Sequence, residues 1–293
     1  MLPRVPLTLL RLFGHLDWLS FGLRDKTIRY FVNPDTVEGK EFEQDFFGLK
    51  YRGNLNTFID WSVYFYGAYE KGILFLMKDI VKGKQKPIFI DIGANVGHHS
   101  LYMSKLCDEV HSFEPYDRVR DIFISKIIFN KRSNIIVHNV GVGEKDEFLD
   151  FYAPVGRNIG TGSFMAERAK DNNIKYGKLE IVEGDAYISK LNLNKIDLIK
   201  IDVEGFEKYV LLGLRDTVEK FRPSVVMEYS SVTRDNLTIP QLREILPRGY
   251  SIQGISTNRT CCRVFNRMNY HLTDFDPGDP KIGDLLLSPD QAV

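Results

Sequence analysis

From Pro87 onward, short apolar runs alternate with stretches whose apolar residues recur at helical spacing, the pattern of an α/β domain with a parallel sheet. The runs predict strands at 88–92, 109–114, 134–140, 196–203 and 223–229, with later ones near 250–256 and 283–288. Between them, 101–106 and 116–130 suit crossover helices, and 204–214 sets Phe206, Val210, Leu211 and Leu214 at helical spacing. Two regions break the alternation. Residues 141–184 are rich in Gly and Asn around a strand-like FLDFY and read as an inserted hairpin or loop, while 258–282, with Cys261-Cys262 and DFDPGDP, read as a hairpin or extended loops. Residues 1–86 follow another pattern: aromatics cluster in DFFGLKYRG and FIDWSVYFYGAYEKG, ahead of an apolar helix-like run, ILFLMKDIV. This predicts a largely helical N-terminal extension that packs on a core domain at 87–293, with a homodimer contact as the other use of so many aromatics.

The strand at 88–92 ends in FIDIGANVG, where an acid, Asp91, runs into a turn through Gly93 and Gly97 and then a helix-like HHSLYMSKL. Such a turn brings backbone N–H groups and a helix N-terminus against a ligand. The next βα unit ends in HSFEP, so Glu114, followed by Pro115, stands where dinucleotide-binding folds place a ribose-binding carboxylate. The dinucleotide pattern wants a second glycine so that backbone can approach a pyrophosphate, but that position is Asn95, after Ala94. A nucleoside without phosphates, such as S-adenosylmethionine, fits better: its ribose suits Glu114 and its cationic amino-acid end a carboxylate near Asp91.

Composition narrows the partners. The 39 basic residues balance the 39 acidic ones, so no overall field draws the chain to nucleic acid or to an anionic membrane. Cys107, Cys261 and Cys262 have neither metal-ligand spacing nor an even count, and read as reduced thiols of a cytosolic protein. The apolar start of the chain is interrupted by Pro6, Arg11, His15 and Asp17, short of the roughly 20 residues a spanning helix needs, and predicts an amphipathic helix rather than a transmembrane segment.

A second informative stretch is IDLIKIDVEGFE, residues 196–207, a buried-looking strand that nevertheless carries Lys200 and Asp202. Two residues apart, they share a strand face. If 88–92 is the first strand of a doubly wound sheet and 196–203 its neighbour across the switch, Asp91 and Asp202 flank one crevice, and Glu228, ending SVVME, lines the same edge. The plainer reading is an ion pair of Lys200 with Asp202 at a strand end, and Glu204 placed to favour the following helix.

In that order, IDIGANVGHHSL, HSFEP, IDLIKIDVEGFEKYVLLGL and RPSVVMEYS resemble the FkbM-type S-adenosylmethionine-dependent methyltransferases, over most of the chain from about residue 53. The resemblance implies a class I methyltransferase fold, Rossmann-like, with a mostly parallel seven-stranded sheet, helices on both faces and a terminal antiparallel strand. It implies O-methylation of hydroxyls on sugars, polyketides or other small secondary metabolites. It carries the cofactor turn onto Asp91, Gly93, Ala94, Asn95 and Gly97, the ribose acid onto Glu114 with Pro115, an acid near the methionine end onto Glu70, and the acid facing the transferred methyl onto Asp202. Asp202, Glu228 and Lys200 are the candidate catalytic residues, with His98 and His99 as further candidate bases. Asp185, in EGDAYI, stands where many members read L-D-D, and either a turn or an adenine-edge contact suits it. A divalent metal held by Asp202, Glu204 and Glu228 lacks a dense ligand motif. Three other readings stay open: a nicotinamide-dependent oxidoreductase, against which Asn95 counts, a non-catalytic cofactor-binding module, and an RNA methyltransferase, against which the balanced charge counts.

Overall fold

The computed structural model describes residues 5–155, 162–165, 173–257, 259–261, 265–268, 270–275 and 283–290. The chain divides into two compact units, one of Met1–Leu76 with Gly156–Asn158 and Thr257–His271, the other of the remainder. The division falls inside a helix, ten residues before the boundary at 86/87 expected from the sequence.

The first unit begins with α1 (Leu7–Gly14) and α2 (Phe21–Phe31), followed by strands β1 (Glu41–Phe46) and β2 (Leu49–Asn54) and helix α3 (Phe58–Tyr66). The β1–β2 hairpin adds a pair of strands to an extension that is otherwise helical, as the sequence leads one to expect. It closes through Phe47 and Gly48, both at positive φ, the backbone that a two-residue hairpin turn requires. Asp60 of α3 fastens the hairpin, accepting hydrogen bonds from the Tyr51 hydroxyl at 2.8 Å and the Asn54 N–H at 2.9 Å. Nearly all of α3 is buried, and Trp61, Tyr64, Phe65 and Tyr66 form a core with Leu10, Ile28, Val32 and Leu55. The N-terminal aromatics thus build this unit's interior. Helix α4 (Lys71–Val81) crosses the division.

The second unit opens with β3 (Ile88–Ile92), α5 (His98–Met103), β4 (Glu109–Phe113), α6 (Asp117–Phe129) and β5 (Ile135–His138). Strands β6 (Gly141–Gly143), β7 (Glu147–Pro154) and β8 (Asn173–Glu183) then form a separate three-stranded sheet, ordered β6-β8-β7, in the region read as an insertion. The chain continues through α7 (Gly184–Lys190), β9 (Leu198–Ile201), α8 (Glu207–Leu212), α9 (Arg215–Phe221), β10 (Ser224–Glu228), α10 (Ser231–Asn236), α11 (Ile239–Ile245) and β11 (Tyr250–Ser256). In chain order a short hairpin that belongs to the first unit, β12 (Arg259–Cys261) and β13 (Phe265–Met268), comes before β14 (His271–Asp274) and β15 (Asp284–Pro289). Cys262 and residues 276–280 lie outside the described residues.

The main sheet runs β5-β4-β3-β9-β10-β15-β11-β14. Strands β5 through β10 are mutually parallel, and β15 pairs antiparallel with both β10 and β11. This is the expected α/β architecture with its seven strands, plus an eighth, β14, at the edge. The parallel strands read as continuous apolar runs because they are covered on both faces: β3 and β9 are buried at every position. Winding proceeds outward from β3 to β4 and β5 on one side and from β9 to β10 on the other, so the switch point lies between β3 and β9, where such sheets bind ligands.

Two glycines make the turn after β3 possible. Gly93 has φ +83° and a Cβ there would collide with the Asp202 carbonyl; Gly97 has φ +76° and a Cβ there would overlap the Phe123 ring. Gly97→Ala should therefore lower the unfolding free energy by at least about 2 kcal/mol in urea titrations. Gly177→Ala, on β8 with open space around it, should stay within about 0.5 kcal/mol of wild type. Equal effects of the two would contradict the close packing of this turn.

Candidate active site

Register assembles the site. Across the switch point Asp91 stands opposite Lys200 and Ile92 opposite Ile201, and the Asp202 N–H donates to the Ile92 carbonyl at 3.0 Å. Asp91, Lys200 and Asp202 therefore meet at the carboxyl ends of β3 and β9. Asp91 is buried; its Oδ2 accepts from the Ser100 hydroxyl at 2.6 Å, Ser100 and Ser112 share a hydrogen bond of 2.7 Å, and its Oδ1 is buried with no hydrogen-bond partner. Burial raises the Asp91 pKa, against the pull of Lys200 and Ser100. Lys200 donates to Asp202 Oδ2 at 2.8 Å; the lysine is 5% exposed and the aspartate 29%, so the acid is the member that reaches outward.

The glycine turn itself spends its N–H groups internally. Those of Gly93 and Ala94 donate to the Phe113 carbonyl at 3.0 and 3.1 Å, and that of Gly97 to the Ala94 carbonyl at 2.9 Å. The Val96 N–H donates to Asn95 Oδ1 at 2.9 Å and the Asn95 N–H to Glu114 Oε2 at 2.8 Å. Asn95 adopts φ +53°, a left-handed conformation that asparagine tolerates. Glu114, buried at the end of β4, accepts a second backbone bond at Oε1 from the Tyr116 N–H at 2.8 Å, and Arg120 holds the carbonyls of Glu114 and Pro115 at 3.1 and 2.7 Å. Burial pushes the Glu114 carboxyl up to about 7, opposed by the Tyr116 and Asn95 N–H groups and by Arg120.

Glu228 ends β10 opposite Asp284 of β15. Its Oε2 is buried without a hydrogen-bond partner, and burial, with the charges of Asp202, Glu204, Glu207 and Asp284, holds its carboxyl well above the usual range. His98 and His99 are buried at the start of α5, where desolvation depresses both far below the ordinary value, so both imidazoles are neutral. Among the described residues, no group of three or more His, Cys, Asp or Glu is placed to hold a metal ion. Glu70 lies in the first unit at φ +45°, and its carbonyl accepts from Ile73 and Leu74 in the first turn of α4.

Two acids do work that the sequence left open or hid. Asp185 accepts from the N–H groups of Asp216 and Thr217 at 2.9 and 2.8 Å, and so caps the first turn of α9, a structural use that is not the local turn suggested by the sequence. Glu207 holds the VEGFE loop: Oε1 accepts from the N–H groups of Val203 and Gly205, each at 3.1 Å, and Oε2 from the Thr233 hydroxyl at 2.9 Å. The loop needs such a staple because Glu204 sits at φ +53° and Gly205 at φ +100°. The signal for it was a carboxylate two residues after a loop glycine. Ser100 and Ser112, which support Asp91, carried no signal beyond their polarity in apolar surroundings.

The raised Glu114 pKa has a consequence for stability. A buried acid that titrates near 7, against 4.5 when exposed, contributes fully below 4.5 and loses that contribution as pH rises through 7, a loss of about 3 kcal/mol. Between pH 5 and pH 8 the unfolding free energy of wild type should therefore fall more steeply than that of Glu114→Gln. Equal slopes in denaturant titrations would contradict the buried setting of this carboxyl.

The family model described as the methyltransferase FkbM domain matches residues 91–252, more than half of the chain. A protein of Beauveria bassiana (strain ARSEF 2860) named Methyltransferase 1 is 27% identical over 221 residues, covering 66% of this chain and 87% of that protein. Among solved structures, methyltransferase FkbM from Methylobacillus flagellatus KT is 17% identical, with a TM-score of 0.43 over 70% of this chain; the chain spans 45% of its length. A SAM-dependent methyltransferase from Agrobacterium tumefaciens is 9% identical, with a TM-score of 0.48 over 88% of this chain and 72% of that one. With the family model spanning β3 to β11 and the whole switch-point site, the chain belongs to the methyltransferase FkbM domain family.

Proposed function

We propose that the chain is a cytosolic S-adenosylmethionine-dependent O-methyltransferase that modifies a hydroxyl of a small molecule such as a sugar or polyketide. The observation that carries the cofactor reading is the closed glycine turn. All five N–H groups from Gly93 to Gly97 are bonded within the protein, so none is left to cradle a pyrophosphate, whereas Glu114 offers carboxylate oxygens to hydroxyl donors. A nucleoside with a free ribose and no phosphate suits such a site, and the same bonds weigh against a nicotinamide dinucleotide. The buried, unsatisfied Asp91 Oδ1 supports a cationic ligand nearby. The cytosolic placement rests on Cys107, a buried free thiol whose pKa burial pushes up to about 12.

When bound, S-adenosylmethionine supplies an electrophilic methyl on a positively charged sulfur. Glu114 holds the ribose hydroxyls, with its orientation fixed by the backbone of Asn95 and Tyr116. Asp202 is oriented by Lys200 and is the partly exposed acid at the switch point, which suits it to align an acceptor hydroxyl and receive its proton. Glu228 keeps its proton at neutral pH and therefore serves as a hydrogen-bond donor rather than a base. The neutral, buried His98 and His99 are poor proton acceptors because an imidazolium there would be desolvated.

Two substitutions separate the roles. Glu114→Ala should weaken S-adenosylhomocysteine binding by about tenfold or more in calorimetry, the loss of charge-assisted hydrogen bonds to the ribose. Asp202→Asn should retain that binding and lower methyl transfer to a hydroxyl acceptor by about 100-fold, the scale of a lost general base. Unchanged turnover in Asp202→Asn would remove that residue from the mechanism.

A further inference from the structure

The first unit holds a cavity of about 250 Å³, of whose lining only Glu70 is also carried toward the cofactor by the family resemblance. Its walls include the rings of Phe21, Phe58, Tyr66 and Tyr69, with Ser62 and Ala68 between them. An apolar cavity of about 150 Å³ already holds benzene, so this one has room for more than a single ring.

Its charged wall is Arg24, 4% exposed on α2. The guanidinium lies 6.0 Å from the Phe21 ring centre and 5.9 Å from that of Tyr66. Both of its hydrogen bonds leave from Nη1, to the Gly14 carbonyl and to Asp17 Oδ1 at 2.9 Å. Nε is buried with no hydrogen-bond partner, and no described residue bonds Nη2. Together Nε and Nη2 form one edge of the guanidinium, the two-pronged donor that matches a carboxylate.

The neighbouring charges leave that edge to a ligand. Asp17 is shared between Arg24 and Lys71, one carboxylate against two cations. Asp25 is engaged through both oxygens by Arg29 Nε, at 2.9 and 2.8 Å, and by the Tyr66 hydroxyl at 3.0 Å. Glu70 supplies the remaining acid of the lining, so the preference for an anion rests on the direct fork rather than on the overall field. We propose that this cavity binds a small planar aromatic carboxylate, its rings between the aromatic walls and its carboxylate on the Nε and Nη2 edge of Arg24. The inference does not rest on the methyl-transfer reading, because Arg24 and the aromatic walls it uses have no part in that reading.

Calorimetry on the intact chain with three probes of one shape tests it: 2-naphthoate, 2-naphthalenemethanol and 2-naphthylmethylamine. The carboxylate should bind saturably at one site, with the neutral alcohol and the amine at least about tenfold weaker, the scale of a charge-assisted hydrogen bond. Arg24→Gln should remove the preference for the carboxylate. Ala68→Leu, which fills the cavity without touching a charge, should abolish naphthoate binding in a protein whose thermal melt shows it folded. Absent naphthoate binding, alcohol or amine binding as tight as the acid, or undiminished affinity in folded Ala68→Leu would each overturn the proposal; the comparison of probes on wild type decides even where a variant does not fold.

Discussion

The carboxylate of Glu114 joins two turns that the chain builds separately. One oxygen takes the N–H of Asn95, in the turn after β3, and the other the N–H of Tyr116, in the turn after β4. Neighbouring parallel strands bring the two turns to the same edge of the sheet, but strand pairing ends at Ile92 and Phe113. Beyond that edge, the buried acid and the Phe113 carbonyl fix the glycine turn. Burial opposes the ionised form, and the backbone donors offset only part of that cost, which is why the carboxyl titrates near 7. The protein therefore holds a buried, only partly compensated acid at the edge of the sheet.

The same economy recurs at the switch point. Lys200 would be costly inside a sheet without a partner, and it finds one in Asp202 while standing opposite Asp91. The two acids are not equivalent. Asp91 is sealed behind Ser100 and Ser112, whereas Asp202 extends outward past the last paired residue of β9. Glu228, one strand further, sits partly buried among like charges, which raise its carboxyl well above the usual range. Three carboxyls on adjacent strands thus differ in environment: one sealed inside, one reaching outward and one buried among like charges.

Much of this second unit was legible because its strands are buried on both faces and read as plain apolar runs. The order of the runs placed β3 beside β9, and Gly93, Gly97, Glu114, Asp202 and Glu228 follow from strand ends and turn chemistry. What escaped the sequence depends on contacts between distant residues. Asp185 caps a helix whose first N–H groups lie at 216 and 217, and nothing local distinguishes that use from a ligand contact. The internal use of the Asn95 N–H group also depends on a distant residue, Glu114, although the missing second glycine pointed the same way. The first unit was harder to read. Its hairpin turns through Phe47, an aromatic at φ +53° where Asn, Asp or Gly is the usual signal, so the aromatic clustering masked a pair of strands.

The most direct measurement is a pair of calorimetric titrations of the intact chain, one with S-adenosylhomocysteine and one with oxidised nicotinamide adenine dinucleotide. A turn whose N–H groups are already bonded, beside the buried Glu114 carboxyl, predicts saturable one-site binding of S-adenosylhomocysteine and no measurable binding of the dinucleotide. Binding of the dinucleotide together with failure of S-adenosylhomocysteine to bind would contradict the account at its centre.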